Sequence, residues 1–300
     1  MTTEARAARS VTRKGKLAPI LTVVLAIAAV WYAGAFLLNA SLVREAFARQ
    51  KKEPTTVELV EATFSMDRPV LPAPHQVVIE LWKTTVDQAV TSKRSLVYHS
   101  WVTLSSTLLG FAIGSLLGIL LAVIILHAAS LEKSLMPWLI ASQTIPIVAL
   151  APMVVVVLNA INITGIIPKA LISTYLSFFP VTVGVVTGLR SPDPIHLDLL
   201  RTYNAGGWQT FWKLRWPSSV PFLFTSMKVA IAASLVGAIV GELPTGAVAG
   251  IGARLLVGSY YGQTIQIWAA LLAAGILAAA LLAIVGLVNR FILRRMGMAR

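Results

Sequence analysis

Long apolar runs alternate with short polar intervals along this chain, and the apolar runs have the length that crosses a bilayer. A helix needs roughly 20 apolar residues to cover about 30 Å of hydrocarbon. Six stretches qualify, approximately Ala18 to Leu38, Val102 to Leu126, Leu135 to Leu158, Lys169 to Leu189, Pro221 to Val240 and Ile265 to Leu287. The pattern predicts an all-α integral membrane protein with about six transmembrane helices. The first run follows a basic leader, residues 1–17, holding Arg6, Arg9, Arg13, Lys14 and Lys16. It exceeds the roughly 7–15 apolar residues of a secretory signal, so it is expected to stay as an anchor.

Orientation follows from where Lys and Arg fall in short loops. With the N-terminus inside, the basic residues gather in the leader, at Lys133, in Arg190 to Trp216, and in a tail ending at Arg300, whereas the short outer loops hold only Arg254. Both termini are expected in the cytoplasm. The long loop 39–98 is expected outside, since loops of that length cross with little regard for charge. Within it, Leu71-Pro72-Ala73-Pro74 precedes apolar Val77, Val78, Leu81 and Trp82 at helical spacing, which predicts a short amphipathic helix at the interface. Residues 99–290 form a core of five spans interrupted by the segment 190–216, and 291–300 are a cytoplasmic tail.

Composition agrees with the membrane reading: 57% of residues are hydrophobic and 12% charged, with a mean hydropathy of +0.78. A net charge of +13 would suggest nucleic acid in a soluble chain; here it reports topology, and no nucleic-acid partner is expected. There is no cysteine, so disulfides and thiolate chemistry are excluded.

Several positions inside the spans invite a functional reading. Gly110, Gly114 and Gly118 share one helix face, where they allow either close packing or a role in a solute path. The third run carries Ser142, Gln143, Thr144, Pro146 and Pro152, and each proline frees a carbonyl that something must satisfy. Lys228 lies well inside its span, as a path or gate residue or as a side chain snorkelling to the surface. Glu242 sits at the outer end of the same span, where a surface acid needs no special role. Gln143, Lys228 and Glu242 are the candidates for a translocation path.

The segment Arg190 to Trp216 carries the most information. Asp193-Pro194 fits an N-cap with proline at the first helical position, and Asn204-Ala205-Gly206-Gly207 supplies residues that accept the left-handed turn ending a helix. A second short helix is expected to hold Trp208, Phe211, Trp212 and Leu214 and to close at Trp216-Pro217. Exposed aromatics beside Arg201, Lys213 and Arg215 suit either a protein-docking knob or an interfacial helix on lipid headgroups.

The segment resembles the coupling motif of ABC importer permeases: Glu-Ala-Ala, three residues, Gly-Ala, then a Phe and a closing Leu-Pro. Here Asp198-Leu199-Leu200-Arg201-Thr202-Tyr203-Asn204-Ala205 is followed by Phe211, Trp216-Pro217 and Pro221, with Asp for Glu, leucines for the alanines and Asn204 in place of glycine. Other residues fall in the register of the nitrate, sulfonate and taurine importer family: Leu71-Pro72-Ala73-Pro74, His99 with Leu104 and Gly110-Phe111, Pro146 with Ala149-Leu150 and Pro152, Phe178-Phe179-Pro180 with Gly188, Ser191 with Asp193, and Glu242 followed by Gly250-Ile251-Gly252. Lys228 and Ser106 stand where that family usually has arginine.

The resemblance implies a type I importer permease fold and a subunit working as a pair, here a homodimer. It also implies two ATP-binding cassette ATPases carrying the ATP and Mg²⁺, a periplasmic or lipid-anchored solute-binding protein, and a place in the inner membrane. ATPase coupling would then fall to Asp198, Leu199, Leu200, Asn204, Ala205, Trp208, Phe211 and Pro217. The stretch Gly241-Glu242-Leu243-Pro244-Thr245-Gly246 looks nearest to importers of pyrimidine-like vitamin precursors or riboflavin, which favours a small heterocycle over nitrate, taurine or an alkanesulfonate.

No phosphate loop, zinc-protease motif or nucleophile elbow occurs, and His75, His99, His127 and His196 lack metal-ligand spacing. No cofactor or metal is expected on this chain. A membrane-embedded enzyme and an ion-coupled secondary transporter are the competing classes. The second would want acids within the spans, whereas every Asp and Glu is placed at or beyond a span end.

Overall fold

The computed structural model describes residues 17–127, 129–244 and 249–298. The basic leader, Thr245 and Gly246, and Arg300 lie outside the described residues. Among the described residues every regular element is helical. In chain order they are α1 (Leu17–Arg49), α2 (Thr56–Phe64), α3 (Pro74–Thr85), α4 (Leu96–His127), α5 (Ala129–Thr144), α6 (Ile147–Ala160), α7 (Ile166–Leu189), α8 (Pro194–Thr202), α9 (Gly207–Thr210), α10 (Trp216–Glu242), α11 (Ile251–Tyr260) and α12 (Thr264–Arg295). Among the described residues, five helical stretches are long and apolar enough to cross a membrane: Ala18–Arg49, Leu96–His127, Ile166–Leu189, Gly207–Glu242 and Thr264–Arg295. The pair α5 and α6, bent by 96°, makes a sixth when taken as one broken span.

The chain differs from its sequence-based expectation in several places, among them the long loop 39–98, where α1 runs on to Arg49 and α2 occupies Thr56–Phe64. Lys133, expected in a short inner loop, lies instead within α5, which begins at Ala129. The stretch around Arg254, expected as a short loop, contains α11, too polar at Arg254 and Ser259 to stand out as apolar. The segment after Gly206 does not close at Trp216-Pro217; a π-helical turn, Phe211–Arg215, joins α9 to α10 and makes one long helix. Pro217 cannot donate to the Lys213 carbonyl, and its ring would clash there in an ordinary α-turn. Pairing of the Trp216 N–H with the Phe211 carbonyl five residues back opens the turn and lets the helix pass.

Two compact units are described separately. The smaller takes the residues up to Asp87 with Gly258–Ala269, the larger Gln88–Val257 with Ala270 onward. In the smaller unit, Asn39 is 1% exposed; it donates to the Leu71 carbonyl at 2.7 Å and accepts from the Val70 N–H at 2.7 Å. Trp31 donates to the Pro72 carbonyl at 3.0 Å. These bonds hold the proline-flanked stretch before α3 against α1. The expected amphipathic helix is present as α3, with Val77 buried while Val78 and Trp82 lie exposed. At the start of α2, Thr55 and Glu58 form a reciprocal capping box, and the Thr55 N–H bonded to Glu58 holds that carboxyl below its ordinary pKa.

The larger unit is organised by α4, α7 and α10. Small residues bring the three backbones together. A Cβ on Gly110 would lie 2.3 Å from the Ser173 Cβ, and one on Gly237 would lie 2.8 Å from the Ser173 Cα. Gly110, Gly114 and Gly118 therefore serve packing of α4 on α7. Hydroxyls tie the trio at the same level: Ser173 donates to the Ser234 carbonyl at 2.9 Å, Ser234 to the Thr107 carbonyl at 2.8 Å, and Thr174 to the Gly110 carbonyl at 3.2 Å. In a hydrocarbon setting such bonds keep each polar side chain satisfied within the bundle.

Candidate functional site

The segment between α7 and α10 is a defined arm. Asp193 caps α8, its carboxylate accepting from the Ile195 N–H at 2.9 Å, with Pro194 in the first turn. The helix ends in a Schellman arrangement: the Ala205 N–H reaches the Leu200 carbonyl at 3.0 Å and the Asn204 N–H reaches the Arg201 carbonyl at 2.9 Å. Asn204 has φ +51°, the left-handed value that glycine usually supplies at this position. The turn that the sequence required of Asn204 is present.

Both ends of the arm are fastened. Arg215 donates to the Leu189 carbonyl at 3.2 Å. Arg190, the residue capping α7, grips Glu132 in the first turn of α5 through two bonds of 2.6 and 2.7 Å. That carboxylate raises the guanidinium's pKa above its ordinary value. Between these ties, Ile195 is 73% exposed, Leu199 51%, Tyr203 77%, Trp208 72% and Trp212 47%, a run of large apolar side chains that nothing among the described residues covers. Asp198 is exposed and pairs with Arg201 at 3.0 Å. Leu200 and Ala205 are half-buried, and Pro217 lies in the first turn of α10.

Phe211 departs from its expected role. It is 5% exposed and packs in a cluster with Ala122, Ile125 and Leu189, its ring 6.2 Å from Trp208 and 5.2 Å from Trp212. It lies at the start of the π-helical turn and packs beneath the exposed indoles instead of joining them.

The three path candidates are not brought together. Gln143 sits at the α5–α6 bend and donates to the Ser142 hydroxyl at 3.3 Å. Pro146 cannot donate to the Ser142 carbonyl, and the Tyr175 hydroxyl from α7 satisfies that carbonyl instead. Beside the bend, an apolar cavity of about 450 Å³ is lined by Leu117 and Leu120 of α4, Ile147 and Leu150 of α6, and Leu171 and Tyr175 of α7. Lys228 is half-buried with its stem facing Gly286 of α12. None of the three candidates lines the cavity.

Glu242 overturns its expectation most clearly: it is no surface acid but 0% exposed. Its carboxylate accepts from the Thr103 hydroxyl at 2.9 Å and the Gly252 N–H at 2.7 Å, with the Lys169 ammonium 3.9 Å away. Thr103 also accepts from the Ile251 N–H at 2.8 Å, and the Lys169 ammonium donates to the Ala249 carbonyl at 3.3 Å. The His99 Nδ1 accepts from the Gly250 N–H at 3.0 Å, which leaves Nε2–H to donate to the Lys93 carbonyl at 2.9 Å. Gly250 has φ +129°, and a Cβ there would meet the Glu242 carboxyl carbon at 2.2 Å. The cluster pins the backbone ahead of α11 onto α4, α7 and α10. Thr103 and Lys169 escaped the sequence reading, and the only signal was the register of Glu242 with Gly250-Ile251-Gly252.

Apolar helices of spanning length, a broken span and a three-helix core define a multi-span helical membrane protein. The chain belongs to the family of binding-protein-dependent transport system inner membrane components, whose model matches residues 114–298, and it is therefore a permease of the ABC importer class. It is 34% identical over 173 residues to the formylaminopyrimidine transport permease protein ThiX of Halalkalibacterium halodurans, covering 58% of this chain and 65% of that protein. It is 31% identical to a probable ABC transporter permease protein of Haemophilus influenzae over 62% of this chain and 74% of that one. With the riboflavin transport system permease protein RibX of Chloroflexus aurantiacus it shares 30% identity over 75% of this chain and 80% of that one. Among solved structures, a chain of the MetNI methionine ABC transporter in an inward-facing form superposes with a TM-score of 0.51 at 18% identity, covering 75% of this chain and 97% of that one. The shared fold is that of type I importer permeases.

Proposed function

We infer that this chain is the membrane-spanning subunit through which an ATP-driven importer moves a small heterocycle, of the pyrimidine-precursor or riboflavin kind, received from a solute-binding protein outside. The relatives named for a formylaminopyrimidine and for riboflavin support that substrate class; relatives named for aliphatic sulfonates and nitrate mark the alternatives. Two copies pair around a central path, two ATPases carry ATP and Mg²⁺, and both termini and the 190–216 arm face the cytoplasm of a cell whose inner membrane holds the assembly.

The observation that carries this reading is the arm itself: capped at Asp193, turned at Asn204, tied back by Arg215, and presenting Ile195, Leu199, Tyr203 and Trp208 uncovered. Rigid exposed aromatics are what a partner's groove takes as anchors. ATP-driven closure of the ATPases would act on this arm and shift the permease between states, by as much as the closed ATPases prefer one state over the other.

The deciding experiment reconstitutes the permease with its ATPase and binding protein in vesicles and supplies radiolabelled riboflavin and a formylaminopyrimidine. Uptake that requires ATP and the binding protein supports the reading. Uptake that follows an imposed proton or sodium gradient without ATP replaces it with an ion-coupled transporter.

A further inference from the structure

The Glu132–Arg190 pair joins the root of the arm to the start of α5, whose Leu135, Met136 and Leu139 also pack against the end of α7. Arg190 is where α7 ends and the arm begins, and Glu132 lies in the first turn of α5. The contact is a two-pronged carboxylate–guanidinium pairing at 2.6 and 2.7 Å, the most directional ion pair available to proteins. Its side chains are 44% and 31% exposed, and pairs so accessible add little to stability. At the far end of α5, roughly 15 Å away along the helix axis, the Ser142 carbonyl freed by Pro146 is held by the Tyr175 hydroxyl of α7. Thus α5 is tied to α7 at both ends, once at the root of the arm and once at the 96° bend into α6, and α6 contributes Ile147 and Leu150 to the apolar cavity.

We propose that Glu132 and Arg190 form a strut that carries displacement of the arm into α5 and the bent pair, making both positioning residues for transport rather than for assembly. The proposal rests on the reading of the arm as the ATPase docking site. Pulling on the arm moves Arg190; the paired carboxylate draws α5 with it; and the bend, fixed by Tyr175, turns that motion into a change at α6 beside the cavity. Without the pair, the ATPase still docks and hydrolyses, but α6 no longer follows.

The test uses the full permease with its ATPase in nanodiscs and needs no transported solute. Because the native chain has no cysteine, Val156→Cys on α6, 67% exposed, places a single environment-sensitive fluorophore. In the otherwise native background, ATP with vanadate is expected to shift its emission. Glu132→Gln and Arg190→Gln should each reduce that shift at least fivefold while ATPase co-purification stays unchanged, and the exchanged pair Glu132→Arg with Arg190→Glu should restore at least half of it. An undiminished shift in the single variants overturns the strut. So does failure of the exchanged pair to recover, or loss of co-purification in the single variants, which would place the pair in docking. Failure of the native permease to bind the ATPase at all would instead sink the docking reading.

Discussion

The Thr103 hydroxyl of α4 lies 2.9 Å from the carboxylate of Glu242 at the end of α10, across 139 residues of sequence. That one oxygen also receives the Ile251 N–H at 2.8 Å, so it serves a buried acid and a backbone turn together. Thr103→Val leaves both groups short of a partner at a cost of about 1–3 kcal/mol each, whereas Thr103→Ser keeps the hydroxyl. Thermal unfolding of the purified permease in detergent should separate the two variants clearly, and equal stability would show that the bond matters little.

Gly250 gives a sharper test of the same cluster. With φ +129° and the Glu242 carboxyl carbon 2.2 Å from any Cβ, Gly250→Ala meets backbone strain of about 1–3 kcal/mol and a displaced carboxylate besides. The expected outcome is loss of monodisperse protein on gel filtration. Recovery by Glu242→Ala in the same chain would show that the collision, more than the torsion, is at fault.

At the broken span, Tyr175→Phe removes the hydroxyl that satisfies the Ser142 carbonyl. An orphaned buried carbonyl costs about 1–3 kcal/mol, so unfolding should come earlier. A variant as stable as the parent would mean that water or lipid headgroups reach the bend.

The arm separates docking from folding. Trp208→Ala, at 72% exposure, should weaken ATPase co-purification with little change in the melting temperature, while Phe211→Ala, at 5% exposure, should destabilise the permease by about 3–5 kcal/mol. Asn204→Gly should keep both properties, and Asn204→Val should impair the arm, since a branched side chain in the left-handed region costs roughly 1–2 kcal/mol. Identical behaviour of Trp208→Ala and Phe211→Ala would contradict this division.

For Lys228, half-buried against Gly286 and with no ion-pair partner among the described residues, Lys228→Met should lower uptake while leaving membrane insertion and stability intact. Unchanged uptake would assign the side chain to snorkelling.

Much of this was legible in the sequence because it depends on local chemistry. Run length located the spans, Pro146 announced the freed Ser142 carbonyl, and Asp193 and Asn204 marked both ends of α8. Long-range partnership was not legible. Glu242 looked like a surface acid because Thr103 and Lys169 stand 139 and 73 residues away by number, and nothing local declares that they converge. Trp216-Pro217 read as a stop because an α-helix cannot easily admit that proline, whereas a π-helical turn can. Phe211 misled because it is buried by distant partners, Ala122, Ile125 and Leu189, that nothing beside it in the chain announces.

The turn at Phe211–Arg215 also sets an azimuth. A π-helical turn holds one residue more than an α-turn, so everything before it is rotated against everything after by about 100° relative to an uninterrupted α-helix. Deleting a single residue there would restore regular winding and swing Trp208 about a quarter-turn around the helix axis, so the arm would present its exposed indole in a different direction.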